Sequence, residues 1–446
     1  MARIDKINVK LWLVLILSSL APLIYTTTRI HFIGSMPDAW AFSIAAQVAW
    51  LNIGYEVINE ALLLPLAFIL GQVIMTKEAF QNRAVVSLGV VVLTYAIVTA
   101  FVLVFTPQLV SAMQQQESLL AQTIKYIRLE SIAIFVSSAY LFFNLVLVLH
   151  NKQKALYSLL VIQTVLTVLC DTVLVSQLPM SLQLGVTGIA ITKIAVNSVL
   201  VVVSYKLLSF NGLTLNLCTV TFDKAEWLKE WFKIGTLSGA ESLVRNTAFV
   251  VMILQLMNQL QQAGTFWVTN GFIWGWLLLP VLTLGQLVKQ DAATNDGLTT
   301  QKVNRYLLVT CGIFLIWFIS SPLWESFIHN VMGVGNAEQV VNLVYLMVGF
   351  YVVFALNNVI DSYFYGIGRT DLMLYQSLAV NTLFYGAAFV LYQFGWFEPT
   401  LEWVAIMFGL GITFDALLTW GLYVMLRKQQ SEQELVIAQY RRGKYA

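Results

Sequence analysis

Eight ionisable residues lie inside stretches that are otherwise apolar: the cations Arg29, Lys193 and Arg245, and the acids Glu56, Glu60, Asp171, Glu241 and Asp415. In a bilayer each costs on the order of 3 kcal/mol or more unless it finds a partner or water. Glu56 and Glu60 stand at i and i+4, which places two carboxylates on one helical face, where their repulsion suits reversible uptake of a proton. Glu241 and Arg245 have the same spacing, so a local ion pair is geometrically cheap. Arg29 and Asp171 fall at similar depth in the outer half of their segments and meet if those segments are neighbours. Lys193 and Asp415 fall nearer the middle. The chemistry this set supports is reversible cation binding, with Asp171, Glu56, Glu60, Glu241 and Asp415 as ion-coupling candidates. For every member the alternative is a structural ion pair or a side chain that snorkels to the interface. Lys125 and Arg128, beside Glu130 at the start of a segment, are read as snorkelling and given no role. Trp50, Trp267, Trp274 and Trp276 are candidates for the aromatic walls of a cavity, or else interface anchors and packing.

Other chemistries lack their residues. No G-x-x-x-x-G-K-[ST] phosphate loop occurs, and no nucleophile–base constellation, so the chain is read as a non-enzyme without cofactor. His31, His150 and His329 are scattered, which excludes a zinc motif. Cys170, Cys218 and Cys311 have no paired or metal-like spacing and read as packing residues. Gly366 and Gly368 follow an apolar helix rather than a strand and mark a turn, not a nucleotide loop. Gly271 and Gly275 offer a small-x-x-x-small contact, for which chance is nearly as good an explanation.

The elements that must position these groups are membrane helices. The 446-residue chain is 59% hydrophobic and only 11% charged, against roughly 25% charged in a soluble domain. Apolar runs long enough to cross a bilayer cover 11–33, 42–73, 84–106, 122–149, 154–178, 183–208, 233–257, 264–288, 304–325, 338–365, 371–394 and 401–426. Pro65 predicts a kink or an interfacial end in the second. The basic N-terminus ahead of Leu11 lacks a small-residue cleavage site and reads as part of a retained first helix. Apart from Arg29, Lys125, Arg128, Lys193 and Arg245, every Lys and Arg falls at the two termini or in alternate loops. The intervening loops hold none, so the positive-inside rule predicts cytoplasmic termini and an even number of spans.

A duplication sets the architecture. Leu62, Leu63, Leu64 and Pro65 run on to Leu70, Gly71 and Gln72; Leu277, Leu278, Leu279 and Pro280 run on to Leu284, Gly285 and Gln286, close to half a chain later. The expected fold is all-α and polytopic, with two six-helix lobes related by a pseudo-two-fold along the membrane normal. The lobes are 1–208 and 233–426. Residues 209–232 form a cytoplasmic linker and 427–446 a polar, mobile tail. Asp223, Lys224, Ala225 and Glu226 resemble a capping box opening a short amphipathic surface helix through Trp231 and Phe232, or else a plain linker. Arg29 and Arg245 are separated by nearly the repeat offset, which suggests a pseudo-symmetric pair.

With these features in place, the chain resembles the multidrug and toxic compound extrusion (MATE) transporters and the wider superfamily of polysaccharide-lipid flippases. The carriers are the two Gly-Gln sites, the stretch Leu184, Gly185, Val186, Thr187, Gly188, Ile189, Ala190, Ile191 and Thr192, and the turn from Phe364 to Thr370. The resemblance implies an alternating-access exporter coupled to H⁺ or Na⁺. It also implies an acid in span one, where Arg29 stands instead, and one in span five, which Asp171 matches. Glu241 lies one turn before the place of the family's span-seven acid. Span ten offers Asn357 and Asn358, with no acid until Asp361 at its cytoplasmic end. Arg29 is therefore expected to be a fixed internal cation opposite Asp171.

The resulting expectation is a secondary exporter of a small amphipathic solute, a monomer in a lipid bilayer, the bacterial cytoplasmic (inner) membrane, without nucleic acid. The alternatives are a flippase for an anionic lipid-linked substrate, which the deep arginines favour, and a non-transporting scaffold or receptor.

Overall fold

The structure is a computed structural model that describes residues 7–34, 41–150, 152–213, 215, 226–294, 298–367 and 369–443. Its regular elements are helical, with no strand among the described residues. Eleven helices are long and apolar enough to cross a bilayer: α1 (Val9–Gly34), α2 (Ala41–Gly71), α3 (Lys77–Ala112), α4 (Glu117–Leu149), α5 (Gln153–Leu174), α6 (Gly185–Phe210), α7 (Glu226–Gln259), α9 (Thr300–Asn330), α10 (Ala337–Gly366), α11 (Asp371–Gln393) and α12 (Leu401–Gln429). A bent pair, Ala263–Leu277 and Leu279–Ala292, forms α8 with an angle of 54° and completes twelve. Both faces of these helices are apolar. On α3, Val91, Tyr95, Thr99 and Val102 are buried while Leu93, Ile97, Phe101 and Val104 are exposed, the pattern of a helix solvated by lipid.

The chain divides into two compact units, one of Ala21–Val268 with Ser326–Ala337, the other of Met1–Leu20, Thr269–Glu325 and Glu338–Ala446. This division differs from a boundary at the 209–232 linker, because α7 groups with α2–α6 and the later half of α1, while the α1 residues up to Leu20 group with the other unit. Packing explains it. A Cβ on Gly235 would collide with the Ala61 carbonyl oxygen, and one on Gly239 would come within 2.8 Å of the Ala61 Cβ. The indole of Trp231 donates to the Leu62 carbonyl oxygen at 2.9 Å. At the far end of α7, Asn258 and Gln47 exchange two amide hydrogen bonds of 2.7 and 3.1 Å. Gln47 is the residue at which α2 breaks into Ala41–Ala46 and Val48–Gly71. The helix continues past Pro65 and ends at Gly71, six residues later.

Three further differences concern predicted elements. Glu226 to Phe232 are the opening turns of α7, with Trp231 buried, and not a separate surface helix. Residues 216–225, including Asp223, lie outside the described residues. The segment after Arg427 continues the α12 helix to Gly443 rather than leaving it as a tail. Cys311 is exposed and Cys170 only half-buried, so neither is a core residue. Cys218 is not among the described residues.

In the second unit, α8 packs on α10. A Cβ on Gly285 would approach Asn358 Nδ2 to 2.6 Å and Ser362 Oγ to 2.7 Å. The Asn358 amide donates to the Val281 carbonyl at 3.1 Å. The two Gly-Gln repeats thus differ: Gly71 closes its helix with open space around it, whereas Gly285 sits inside a helix at a close contact. Three π-helical turns, Val250–Gln255 in α7, Ile273–Leu277 in α8 and Val380–Tyr385 in α11, all fall in the second half of the sequence.

Candidate functional site

Three charge clusters occupy the first unit. Arg29 Nε meets Asp171 Oδ2 at 2.9 Å, with the two side chains only 12% and 4% exposed. The arginine is prepared by its own helix: Thr26, Thr27 and Thr28 each return a hydroxyl hydrogen bond to the carbonyl four residues back, and the guanidinium lies 5.8 Å from the Tyr25 ring centre. Lys193 Nζ from α6 meets Glu130 Oε2 from α4 at 2.8 Å, the carboxylate fully buried. Tyr126, one turn before Glu130 and itself buried, lies within electrostatic reach of both Glu130 and Arg29. Two cations and two carboxylates therefore stand in one connected neighbourhood, each cation held by an acid of another helix.

The third cluster joins α7 to α2. Arg245 Nη2 lies 2.6 Å from Glu60 Oε1 and 3.9 Å from Glu56 Oε1. The i, i+4 carboxylates thus share a cation, which the sequence pattern alone leaves open. Gly235 and Gly239 bring α7 against α2, which allows this tertiary pairing. The side chain of Glu241 lies outside the described residues. Arg29 and Arg245 both fall in this unit, but they pair with acids of α5 and α2, so their partners are not equivalent.

The second unit holds a different arrangement. Asn357 on α10 donates from Nδ2 to Asp361 Oδ2 at 2.9 Å and to Asp415 Oδ2 of α12 at 3.2 Å. Gln376 of α11 donates to Asp415 Oδ1, and Thr419 donates to Asp361 Oδ1 at 3.0 Å. Neutral amides and a hydroxyl are therefore the hydrogen-bond donors to both carboxylates. Asp361 was not a candidate from sequence because it stands near a helix end. The available signal was the pair of polar ladders Asn357/Asp361 and Asp415/Thr419, each at i, i+4.

The tryptophans separate by unit. Trp50 donates to Gln47 Oε1 at 3.2 Å, and Trp267 packs 6.1 Å from the Phe42 ring. Trp274 donates to the Tyr351 hydroxyl at 3.0 Å and faces Phe354 at 5.1 Å. Trp276 is half-buried. Among the described residues no group of three His, Cys, Asp or Glu forms a metal centre.

No protein-family profile matches the sequence, and no curated protein sequence does. Solved structures do match. The chain is similar to an inward-facing multidrug resistance MATE family transporter of the MOP superfamily, at 15% identity over 94% of this chain and 99% of that one, with a TM-score of 0.72. This chain has the MATE transporter fold. An outward-facing structure of a MATE transporter matches at 16% identity, 95% and 96% coverage and a TM-score of 0.65. A MOP superfamily transporter from Pyrococcus furiosus, whose binding pocket is described as reversed in polarity and suggestive of a different function, matches at 16% identity, 94% coverage of both chains and a TM-score of 0.65. On the MATE fold, Arg29 and Asp171 stand on the first and fifth helices and Asp361 and Asp415 on the tenth and twelfth.

Proposed function

We propose that this protein is a secondary exporter that moves a cationic amphipathic solute across the bacterial cytoplasmic (inner) membrane by alternating access, coupled to entry of H⁺ or Na⁺. The supporting observation is the fold, which matches transporters solved in both inward- and outward-facing states over nearly the whole chain. Both termini are assigned to the cytoplasm by the basic loops, and the working unit is taken as a monomer.

The charge count favours a cationic solute. At full ionisation Arg29/Asp171 and Lys193/Glu130 are neutral, Arg245 with Glu56 and Glu60 carries one negative charge, and Asp361/Asp415 carries two. The flippase alternative drew on deep arginines attracting an anion, and each of those arginines faces a carboxylate. Aromatic groups such as Trp274 with Tyr351 suit a cation on a hydrophobic body.

The test is dye movement in proteoliposomes under an imposed pH or Na⁺ gradient. Gradient-driven transport of a cationic fluorescent dye, abolished by an ionophore, is the expected result. No movement under either gradient, together with altered cell-surface polymer in cells lacking the protein, would move the assignment to lipid-linked substrates.

A further inference from the structure

We propose that the cleft between the start of α5 and the end of α6 holds the headgroup of an anionic phospholipid, with its acyl chains against the lipid-exposed faces of the same two helices. The inference goes beyond the transporter reading and needs only that α5 and α6 span the bilayer.

Consecutive spans run in opposite directions, so α5 begins and α6 ends at the same membrane face. Lys152 stands at the cap position of α5 and Lys154 in its first turn, while Asn211 closes α6. With Gln153 and Ser158 they line an open cleft of about 470 Å³. Among the described residues, neither lysine has an ion-pair partner and no Asp or Glu lines the cleft. Its positive charge is therefore uncompensated. The main-chain acceptors that end α6 are already taken. Asn211 meets the Leu207 carbonyl with its backbone N–H at 3.1 Å and with its side-chain amide at 2.7 Å, and the Leu213 N–H meets that of Leu208 at 3.0 Å. What remains for a ligand is a pair of ammonium groups beside amide and hydroxyl side chains, a set that matches the oxygens of a phosphodiester. A zwitterionic headgroup would bring its own ammonium into a cleft with no carboxylate to receive it, which sets the preference for an anionic one.

The hydrocarbon side of the cleft says which phosphate compound fits. Lys154, Ser158, Val161 and Val165 stand at i, i+4, i+7 and i+11 and so share one face of α5. The first two line the cleft, and the last two are 60% and 51% exposed. Leu169 continues the stripe at 57% exposure. On α6, Tyr205, Val202 and Val199 are 42–54% exposed. Tyr157 and Tyr205, near the basic ends of the two helices, are of the residue type that marks a membrane interface. A soluble phosphate has no use for these apolar faces, whereas a phospholipid covers them with its chains. An ordinary basic loop attracts anionic lipid as a diffuse layer that salt screens. Walls from two helices give the headgroup a fixed seat instead.

The experiment uses the full-length protein in nanodiscs of phosphatidylcholine with a graded fraction of phosphatidylglycerol, and native mass spectrometry counts the lipid retained per chain. The unmutated protein is expected to retain phosphatidylglycerol saturably and in preference to phosphatidylcholine. Lys152→Gln with Lys154→Gln is expected to raise the half-saturating fraction by about tenfold or more. Ser158→Trp, which fills the cleft without changing its charge, is expected to raise it as well. Removing the same charge elsewhere, by Lys77→Gln with Lys428→Gln, is expected to leave retention unchanged. Equal retention of the two lipids by the unmutated protein, or equal losses in the two double variants, would overturn the site. Displacement of the retained lipid by inorganic phosphate would also overturn it and give the cleft to a soluble anion. Lipid retention is read without dye movement, so the site and the transporter reading fail separately.

Discussion

At the scale of single residues, the first unit is dominated by charges that have already found partners. Asp171 is 4% exposed and bonded to Arg29, so Arg29→Ala leaves a carboxylate buried without its cation. Breaking one side of such a pair costs about 3–5 kcal/mol, whereas removing both partners together is often close to neutral. Arg29→Ala is therefore expected to lower the melting temperature of the purified protein strongly, and Arg29→Met with Asp171→Leu to recover most of the loss. A double-mutant cycle measures the coupling; additive losses would mean that the pair is not a unit. If the paired arginine has replaced an exchangeable ion, Arg29→Ala should also change ion dependence, and unchanged transport with unchanged ion dependence would remove that role. The partners themselves were hard to read from sequence. The spacing of Glu241 and Arg245 advertised a contact along one helix and gave no sign of Glu60 on another, which Arg245 meets at 2.6 Å. Glu130 looked like an interfacial residue beside Lys125 and Arg128 yet lies fully buried on Lys193. Sequence spacing reports which groups share a face, not which helix that face meets.

At the scale of elements, glycine decides which helices come together. Gly235 and Gly239 have no room for a methyl group because Ala61 of α2 occupies it, whereas Gly89 in α3 has open space around it. Gly235→Ala is expected to destabilise the protein by about 1–3 kcal/mol through overpacking. Gly89→Ala is expected to stabilise it by roughly 0.5–1 kcal/mol through helix propensity alone. Thermal unfolding of the two variants side by side checks the contact; equal shifts would mean that α7 does not depend on it. Helix existence was highly legible, because a bilayer demands long apolar runs and the basic loops count them. The twelve predicted runs correspond to the eleven single helices and the bent α8. Their interruptions were not. Pro65 drew attention to the later part of α2, whereas the break at Gln47 has neither Pro nor Gly to announce it. It is held instead by an amide pair with Asn258, a residue far away in the chain.

At the scale of the whole molecule, the outward faces are apolar on helices of both units, which is the solvent requirement of a bilayer. Cys311 on α9 is exposed beside the exposed Leu308 and Leu315. It is expected to react with a lipid-soluble maleimide and to resist a membrane-impermeant one, read by mass spectrometry of the reconstituted protein. Equal labelling by both reagents would take α9 out of the bilayer. The three π turns have a consequence for how the two halves differ. A π turn fits one extra residue into an otherwise regular helix, so the flanking faces keep their direction while the chain lengthens by one. Turns of this kind fall in α7, α8 and α11 and in none of the described residues of α1 to α6. The second half of the chain thus carries three local changes of helical register that the described residues of α1 to α6 lack.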